Sequence, residues 1–298
     1  MTLYSQIASN KRKSMALTFV FILVIIGIGW LLTQYTKMGY LWLFIISAIA
    51  VFMSIGGYYR GDVIALWTAG AKPISKDQNS YVYNIVENLC ITAGLPVPKI
   101  HIINDPAINA FATGRNPEHA SIAITTGAIE KLQNEELEGV VAHELAHIKN
   151  YDIRLMTMVI IMVSFIVLLS NMTFRSNLFG GRVSSRNNSS GRIHLVIILI
   201  TLIITPLIAQ LIKFTIARKR EFLADASGAL LTRYPEGLAK ALEKISQQNI
   251  EPMRKANNAS AHLYISNPFG NKAKKGIAKM FSTHPPIEER IAALRGMR

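Results

Sequence analysis

Two histidines on either side of three residues, the first of them a glutamate, form the group in this sequence with the clearest chemistry. Residues 143–147 read His-Glu-Leu-Ala-His. On a helix, residues four apart share a face, so His143 and His147 can direct two imidazoles at one point. This is the zinc-binding pattern of metalloproteases, in which the two histidines bind the ion and the glutamate, here Glu144, acts as general base on a water molecule.

A third ligand is needed, because catalytic zinc sites use three protein ligands and leave one position open. Residues 221–225 read Glu-Phe-Leu-Ala-Asp. On its own helix this segment can offer Glu221 as the third ligand, while Asp225, one turn later, can orient one imidazole from behind. Taken alone, Glu221 is better explained as a solvated carboxylate that balances Arg218 and Arg220. With the histidine pair present, we expect one zinc ion per chain.

The segments around the paired histidines predict an α+β domain. Apolar residues at helical spacing, followed by Gly94, predict an amphipathic helix over 78–94. Three short strands are expected at 99–103, 108–113 and 119–125, and helices follow from about 127 to 153. The zinc helix starts with acidic residues, which the helix dipole favours there: Glu135, Glu136 and Glu138.

The distribution of charge divides the chain between lipid and water. Half of the 298 residues are hydrophobic and 17% are charged, against about 25% in an average soluble domain, which argues against a disordered chain. Lys and Arg outnumber Asp and Glu 32 to 18, and none of these acids lies in residues 1–58 or 154–213. The single cysteine, Cys90, excludes an internal disulfide and fits a reducing compartment.

Four uncharged apolar segments are each long enough to cross a hydrocarbon core of about 30 Å as a helix. They form two hairpins and cover residues 15–34, 39–58, 155–173 and 193–212. We therefore predict a polytopic α-helical membrane protein with four spans. Because Asp152 and Arg154 border the third span, the zinc helix is expected to run straight into it.

Basic residues orient these hairpins, since cytoplasmic loops carry an excess of Lys and Arg. The N-terminus is placed in the cytosol by Lys11, Arg12 and Lys13, and each hairpin returns the chain to that side. The four arginines of 174–192 then lie outside, against this tendency, and leave open whether the second hairpin crosses fully. The expected parts are an N-terminal transmembrane hairpin, a first catalytic half with the sheet and zinc helix, a second transmembrane hairpin, and a second catalytic half with the third ligand: 1–58, 59–153, 154–213 and 214–298.

The order of these motifs resembles the HtpX family of bacterial membrane zinc metalloproteases, which is related to the CAAX prenyl proteases. The resemblance rests on six features: the two hairpins, the His-Glu-x-x-His helix, the Glu-x-x-Ala-Asp segment, and residues 109–114 (NAFATG) and 282–286 (STHPP). The resemblance covers nearly the whole chain. It implies a zincin fold of the gluzincin type, a catalytic domain facing the cytosol at the bacterial cytoplasmic (inner) membrane, and a role in membrane-protein quality control under stress.

The resemblance also implies roles for two further segments. Related enzymes place a His-Pro segment near the zinc, which makes His284 a candidate donor to the oxyanion, although a turn or helix start explains the same residues. Related enzymes also lay the substrate against an edge strand, and main-chain pairing of that kind suits broad specificity. The corresponding residues, for which a plain core strand is an equal alternative, are Asn109, Ala110, Phe111, Ala112 and Thr113.

Together these features predict a zinc-dependent endopeptidase that cleaves unfolded or membrane proteins at the cytosolic membrane face. The alternative is a membrane-anchored zinc-binding scaffold without proteolytic activity, but Glu144 is retained and no cysteine lies near the motif to close a structural site. A transporter is disfavoured, because it would need ionisable groups within the spans and the four segments are uncharged. Nucleic acid is not an expected partner, because no binding motif accompanies the basic excess. The lipid bilayer is an expected partner. The lysines of 272–279 either contact its head groups or form a solvated surface.

Overall fold

The computed structural model describes residues 3–36, 40–159, 161–162, 218–248, 253, 255, 261, 263–269 and 285–297. Most of the second predicted hairpin, its arginine-bearing connection, His284 and the lysines of 272–279 lie outside the described residues. In chain order the elements are α1 (Leu3–Thr36), α2 (Tyr40–Ala69), β1 (Lys72–Pro73), α3 (Ser80–Ala93), β2 (Lys99–Ile103), β3 (Ala110–Gly114), a 3-10 turn (Pro117–His119), β4 (Ala120–Thr125), α4 (Thr126–Lys131), α5 (Asn134–Lys149), α6 (Arg218–Thr232), α7 (Pro235–Gln247) and α8 (Ile287–Arg295).

Two long helices, α1 and α2, pack against each other at the N-terminal end of the chain. Both are longer than the predicted spans of 15–34 and 39–58, because neither contains a proline and α2 ends only where Gly70 adopts a φ of 69°. Among the described residues, one helical stretch, Leu43–Ala69, is long and apolar enough to cross a membrane. It overlaps the second predicted span, and the number of four spans is not confirmed.

The sheet has four strands in the order β1-β2-β4-β3, with β2 and β4 parallel and the other pairs antiparallel. Side chains alternate along a strand. Ile122 and Ile124 of β4 therefore pack into the main core with α3 and α5, while Ala123 packs against the end of α2. The three strands predicted from the sequence are confirmed, with bounds of Lys99–Ile103, Ala110–Gly114 and Ala120–Thr125.

Helix α3 confirms the amphipathic pattern of 78–94. It begins after Asn79, whose side chain accepts a hydrogen bond from the backbone N–H of Val82, and it ends at Gly94, whose φ of 65° is left-handed. Its buried face consists of the residues at helical spacing, with Cys90 added: Val82, Ile85, Val86, Leu89 and Cys90. This face closes the main core on the side of α5.

Helix α5 is the centre of the domain and packs closely against α6 and α7. Two glycines allow this approach. A Cβ atom at Gly139 would lie 2.6 Å from the backbone nitrogen of Leu238 in α7, and one at Gly228 of α6 would lie 3.0 Å from the backbone nitrogen of His143. Since the backbones of α6 and α7 lie directly against α5, short side chains on α6 can reach the paired histidines.

The prediction that the zinc helix runs straight into the third span is wrong. Helix α5 ends at Lys149, Asn150 caps it, and Tyr151 adopts a φ of 59°, in the left-handed region that side chains disfavour. A separate helical segment then covers residues 152–159. Asp152 is the first residue of that segment, and the break in the helix lets its carboxylate lie 3.1 Å from His147 Nδ1.

Candidate metal centre

The paired histidines lie on the buried face of α5, close to its C-terminal end. His143 and His147 are 0% and 4% exposed, and Glu144 is 2% exposed. The two Nε2 atoms are 3.2 Å apart, and the rings meet edge to face with centroids 4.7 Å apart. The helical spacing therefore directs two imidazole nitrogens at one point, as predicted.

A carboxylate from the start of α6 meets these nitrogens. Glu221 is 1% exposed; its Oε2 lies 3.8 Å from His143 Nε2, and its Oε1 lies 3.7 Å from His147 Nε2. Residues three and four apart share a helix face. Glu221, Asp225 and Gly228 therefore all face α5, and the glycine lets the two carboxylates come within reach of the histidines.

These three side chains fit a zinc ion. Two nitrogens bound tetrahedrally at about 2.1 Å from one ion are roughly 3.4 Å apart, and the two histidine nitrogens are 3.2 Å apart. The three donor atoms lie within 4.8 Å of one another, and all three residues are buried. Two imidazoles and one carboxylate are also the protein ligands in a class of catalytic zinc sites whose fourth position is open to water.

The Asp225 carboxylate lies directly against the ring of His143, and Arg290 of α8 binds that carboxylate in turn. His143 Nδ1 lies 2.9 Å from Asp225 Oδ1, while Arg290 donates from Nε to Oδ2 at 2.8 Å and from Nη2 to Oδ1 at 2.6 Å. Burial favours the neutral acid, but the hydrogen bonds from Arg290 and His143 outweigh it and lower the pKa of Asp225 to about 2. The ionised carboxylate keeps the proton of His143 on Nδ1 and leaves Nε2 free to bind metal.

His147 is oriented by a different carboxylate, Asp152, which follows the turn after α5. His147 Nδ1 donates to Asp152 Oδ2 at 3.1 Å, and Asp152 is 1% exposed. Burial lowers the pKa of His147, but the hydrogen bond to Asp152 and the charges of Glu221 and Glu144 raise it to about 9. A metal ion must therefore displace a proton from this imidazole at neutral pH.

Two residues of this centre, Asp152 and Arg290, were missed in the sequence. Asp152 depends on the left-handed Tyr151, for which the local sequence carries no glycine signal. Arg290, in contrast, could have been found from the sequence. It lies in the apolar stripe of α8, among residues that pack against the main core: Ile287, Ile291 and Leu294. An arginine in an apolar stripe has to find a buried anion, and Asp225 provides it.

The predicted substrate strand is β3, at one edge of the sheet. Its residues Ala110–Gly114 are all buried, and much of its outer edge is engaged. Ala110 O accepts from Ile265 N at 3.0 Å, and Gly114 N donates to Thr157 Oγ1 at 3.2 Å. Ala112 lies between these two positions with the same outward main chain, and its N–H and C=O have no hydrogen-bond partner within the described ranges.

The side chains at both ends of this strand make contacts inside the protein. Asn109 donates from Nδ2 to Ser266 O at 3.1 Å, which ties the segment 263–269 to the strand. Thr113 Oγ1 lies 2.9 Å from Thr157 Oγ1. Phe111 packs edge to face on Tyr264, with centroids 5.0 Å apart. These side chains therefore fix the strand in position. The other segment that the resemblance implicates, at His284, lies outside the described residues.

Replacing Asp152 by Ala is expected to weaken zinc binding by about 10- to 100-fold, the usual cost of losing a residue that orients a metal ligand. The reason is the loss of the acceptor for His147 Nδ1–H. Competition with a chelator of known affinity measures the change. Asp77→Ala, at an exposed carboxylate, serves as control, and equal zinc affinity in both variants would contradict the role given to Asp152.

A helix with two converging histidines, a carboxylate from helix α6 and a small mixed sheet are typical of a metallopeptidase. The model of peptidase family M48 matches residues 76–298. The chain belongs to this family and is a membrane-bound metalloprotease.

The chain is also similar over nearly its full length to HtpX proteases. It is 42% identical over 296 residues to the "Protease HtpX homolog" of Dictyoglomus turgidum, covering 99% of this chain and 95% of the relative. It is 43% identical over 295 residues to that of Tropheryma whipplei, covering 99% and 98%. The crystal structure of S. mikatae Ste24p is similar, with a TM-score of 0.51 at 20% identity, over 98% of this chain and 67% of that chain. These comparisons confirm the family resemblance and indicate a shared fold with Ste24p.

Proposed function

We propose that the chain hydrolyses peptide bonds with one zinc ion held by His143, His147 and Glu221. The observation that carries this proposal is the convergence of three buried donor atoms within 4.8 Å of one another. Asp225 and Asp152 support it, because each binds the far nitrogen of one histidine and so fixes the ring that faces the metal.

Glu144 is the general base in this proposal. It follows His143 on α5 and is 2% exposed, so its carboxylate acts in a medium where charge interactions are strong. A bound zinc ion supplies Lewis acidity toward the peptide carbonyl and lowers the pKa of water toward neutrality. Glu144 accepts the proton of the attacking water and passes it to the leaving amine.

His284 is assigned as the donor to the tetrahedral oxyanion, on the family resemblance. Two observations support the assignment. Pro285, the next residue, is buried, and α8 begins at Ile287 and carries Arg290 into the metal centre. In the sequence His284 directly precedes Pro285 and stands six residues before Arg290.

The substrate main chain is proposed to pair with β3 at Ala112. The outward main-chain groups of Ala110 and Gly114, on either side of Ala112, already bind Ile265 and Thr157. We therefore place the substrate contact at Ala112 rather than along the whole of residues 109–113. A main-chain contact recognises any peptide regardless of its side chains. This suits unfolded proteins and membrane proteins as substrates, and quality control of membrane proteins under stress as the role.

Four spans, a gluzincin-like catalytic domain in the cytosol and a bacterial inner-membrane location complete the proposal, with the parts 1–58, 59–153, 154–213 and 214–298. Helices α1 and α2 support the first transmembrane hairpin, because both expose large apolar side chains. The exposed fractions are 64%, 51%, 74%, 79% and 79% for Phe19, Leu23, Phe44, Phe52 and Trp67. Apolar surface of this extent on two adjacent helices is explained by contact with lipid.

The alternative, a membrane-anchored zinc-binding scaffold, needs the three ligands but has no use for Glu144. A structural zinc site is closed by a fourth protein ligand. Among the described residues, the metal-binding group contains three, His143, His147 and Glu221. The buried carboxylate of Glu144 beside the ligands, and the lack of a fourth ligand among the residues that the structure describes, favour catalysis over a scaffold role.

Replacing Glu221 by Ala is expected to remove the bound zinc, because two imidazoles alone form an incomplete site. The metal content of parent and variant, purified in detergent, is measured by atomic absorption. Glu243→Ala removes a surface carboxylate that pairs with Arg295 and should keep its zinc. Full zinc retention in Glu221→Ala would exclude this residue as a ligand, and a parent protein that binds no zinc would contradict the proposed function itself.

A further inference from the structure

The turn between α5 and the segment 152–159 is an unusual support for a metal ligand. It contains Tyr151 in the left-handed region, with a φ of 59°, directly before Asp152, which binds His147. Left-handed backbone is unfavourable for a residue with a side chain and persists only where surrounding contacts hold it. The position of the Asp152 carboxylate therefore depends on the contacts that hold this turn.

Those contacts come from the N-terminal helix α1. Asn10 is 5% exposed, and its Nδ2 donates two hydrogen bonds to the turn, one to Asn150 O at 2.9 Å and one to Asp152 Oδ1 at 2.8 Å. The next residue on α1, Lys11, places its Nζ 4.2 Å from the centroid of the Tyr151 ring. Two adjacent residues of α1 thus contact both residues of the turn, Asn150 and Tyr151, and also Asp152 directly after it.

The two oxygens of Asp152 have separate tasks. Oδ2 accepts from His147, while Oδ1 accepts from Asn10 and lies 3.5 Å from Arg220 Nη1. Of the two donors to Oδ1, Asn10 has the shorter contact by far, and its amide is neutral. It can therefore fix the rotation of the carboxylate without withdrawing charge from it, as a second cation at that distance would.

We propose that Asn10 is a positioning residue for the metal centre, which acts through Asp152 on His147. This inference rests on the proposed zinc site. It adds a part of that site that lies on α1, in front of the predicted first span and 142 residues from Asp152 in the chain. The N-terminal helix thus contributes to the affinity for metal as well as to membrane attachment.

The test uses the full chain in detergent and measures zinc affinity by competition with a chelator, beside the melting temperature of each variant. Asn10→Ala is expected to weaken zinc binding by about 3- to 10-fold, less than the loss of Asp152 itself. Asn10→Asp, which keeps the size of the side chain but sets a carboxylate against Asp152, is expected to weaken it further and carries the test if the alanine variant does not fold. Ser14→Ala is the control, because Ser14 is buried on the same helix and its hydroxyl bonds to Asn10 O.

A double-mutant cycle separates positioning from general packing. If Asn10 acts through Asp152, adding Asn10→Ala to Asp152→Ala should change zinc affinity no further, whereas independent effects would add. Parental zinc affinity in both Asn10 variants, or additive losses in the cycle, would overturn the inference and leave the zinc site intact. A parent protein without zinc would instead refute the proposed function on which the inference rests.

Discussion

Replacing Glu144 by Gln is expected to lower kcat for peptide hydrolysis by about 100- to 10,000-fold while zinc stays bound. The amide has nearly the same size as the carboxylate but cannot accept the proton of the attacking water. His143, His147 and Glu221 are unchanged, so the metal should remain at the parental level. Cleavage of unfolded casein by parent and variant in detergent, both loaded with zinc, measures the effect.

The matched control is Glu135→Gln, which removes an exposed carboxylate from the first turn of the same helix. It should cleave casein at the parental rate. Equal cleavage by parent and Glu144→Gln would refute the assignment of the general base. A parent protein that binds zinc but cleaves nothing would favour the scaffold alternative.

Replacing Arg290 by Leu is expected to destabilise the folded protein by about 3–5 kcal/mol, because it leaves the buried Asp225 carboxylate without its partner. Arg290 and Asp225 are both 0% exposed, and the pair has two hydrogen bonds of 2.8 Å and 2.6 Å. Without Arg290 the pKa of Asp225 should rise, and a protonated Asp225 no longer orients His143 as an anion. Zinc affinity is therefore expected to fall together with stability.

Arg295 on the same helix gives the comparison. It pairs with Glu236 and Glu243 at the surface, where ion pairs contribute little. Arg295→Leu should therefore leave the thermal transition in detergent close to that of the parent, whereas Arg290→Leu should lower it strongly. Similar transitions for the two variants would show that burial of the Arg290–Asp225 pair has no part in stability.

Local spacing was enough to predict the parts of the site that lie on one helix. The i, i+4 rule brings His143 and His147 together, and the same rule puts Glu221 and Asp225 on one face of α6. The apolar face of α3 follows from its periodicity in the same way. In each case one secondary-structure element decides the geometry, and the sequence of that element contains the information.

The parts that were missed depend on contacts between elements. Asp152 lies five residues after His147 and meets it only because Tyr151 turns the chain. This turn is contacted by Asn10 and Lys11, from a helix far away in the sequence. Hydrophobic periodicity does not reveal contacts between distant elements. The sequence therefore predicts that the zinc helix continues into the third span, whereas α5 ends at Lys149.

The membrane part shows a third kind of limit. Apolar length predicts where a helix can cross a bilayer, and α2 agrees with it at Leu43–Ala69. It does not predict where the helix begins or ends, since α1 begins at Leu3, well before the predicted span of 15–34, and α2 continues past residue 58 to Ala69, where it packs beside the sheet. Asn10 lies in such an extension, on the N-terminal side of the part of α1 that hydropathy predicts to cross the membrane.

The metal centre draws on helices that are synthesised far apart in time. The paired histidines are made on α5, Glu221 only later on α6, and Arg290 later again on α8. Chains are synthesised from the N-terminus at about 5–20 residues per second, and domains begin to fold during synthesis. In the proposed site the third ligand therefore becomes available only after α6 has been synthesised, and peptide hydrolysis by that site requires α6.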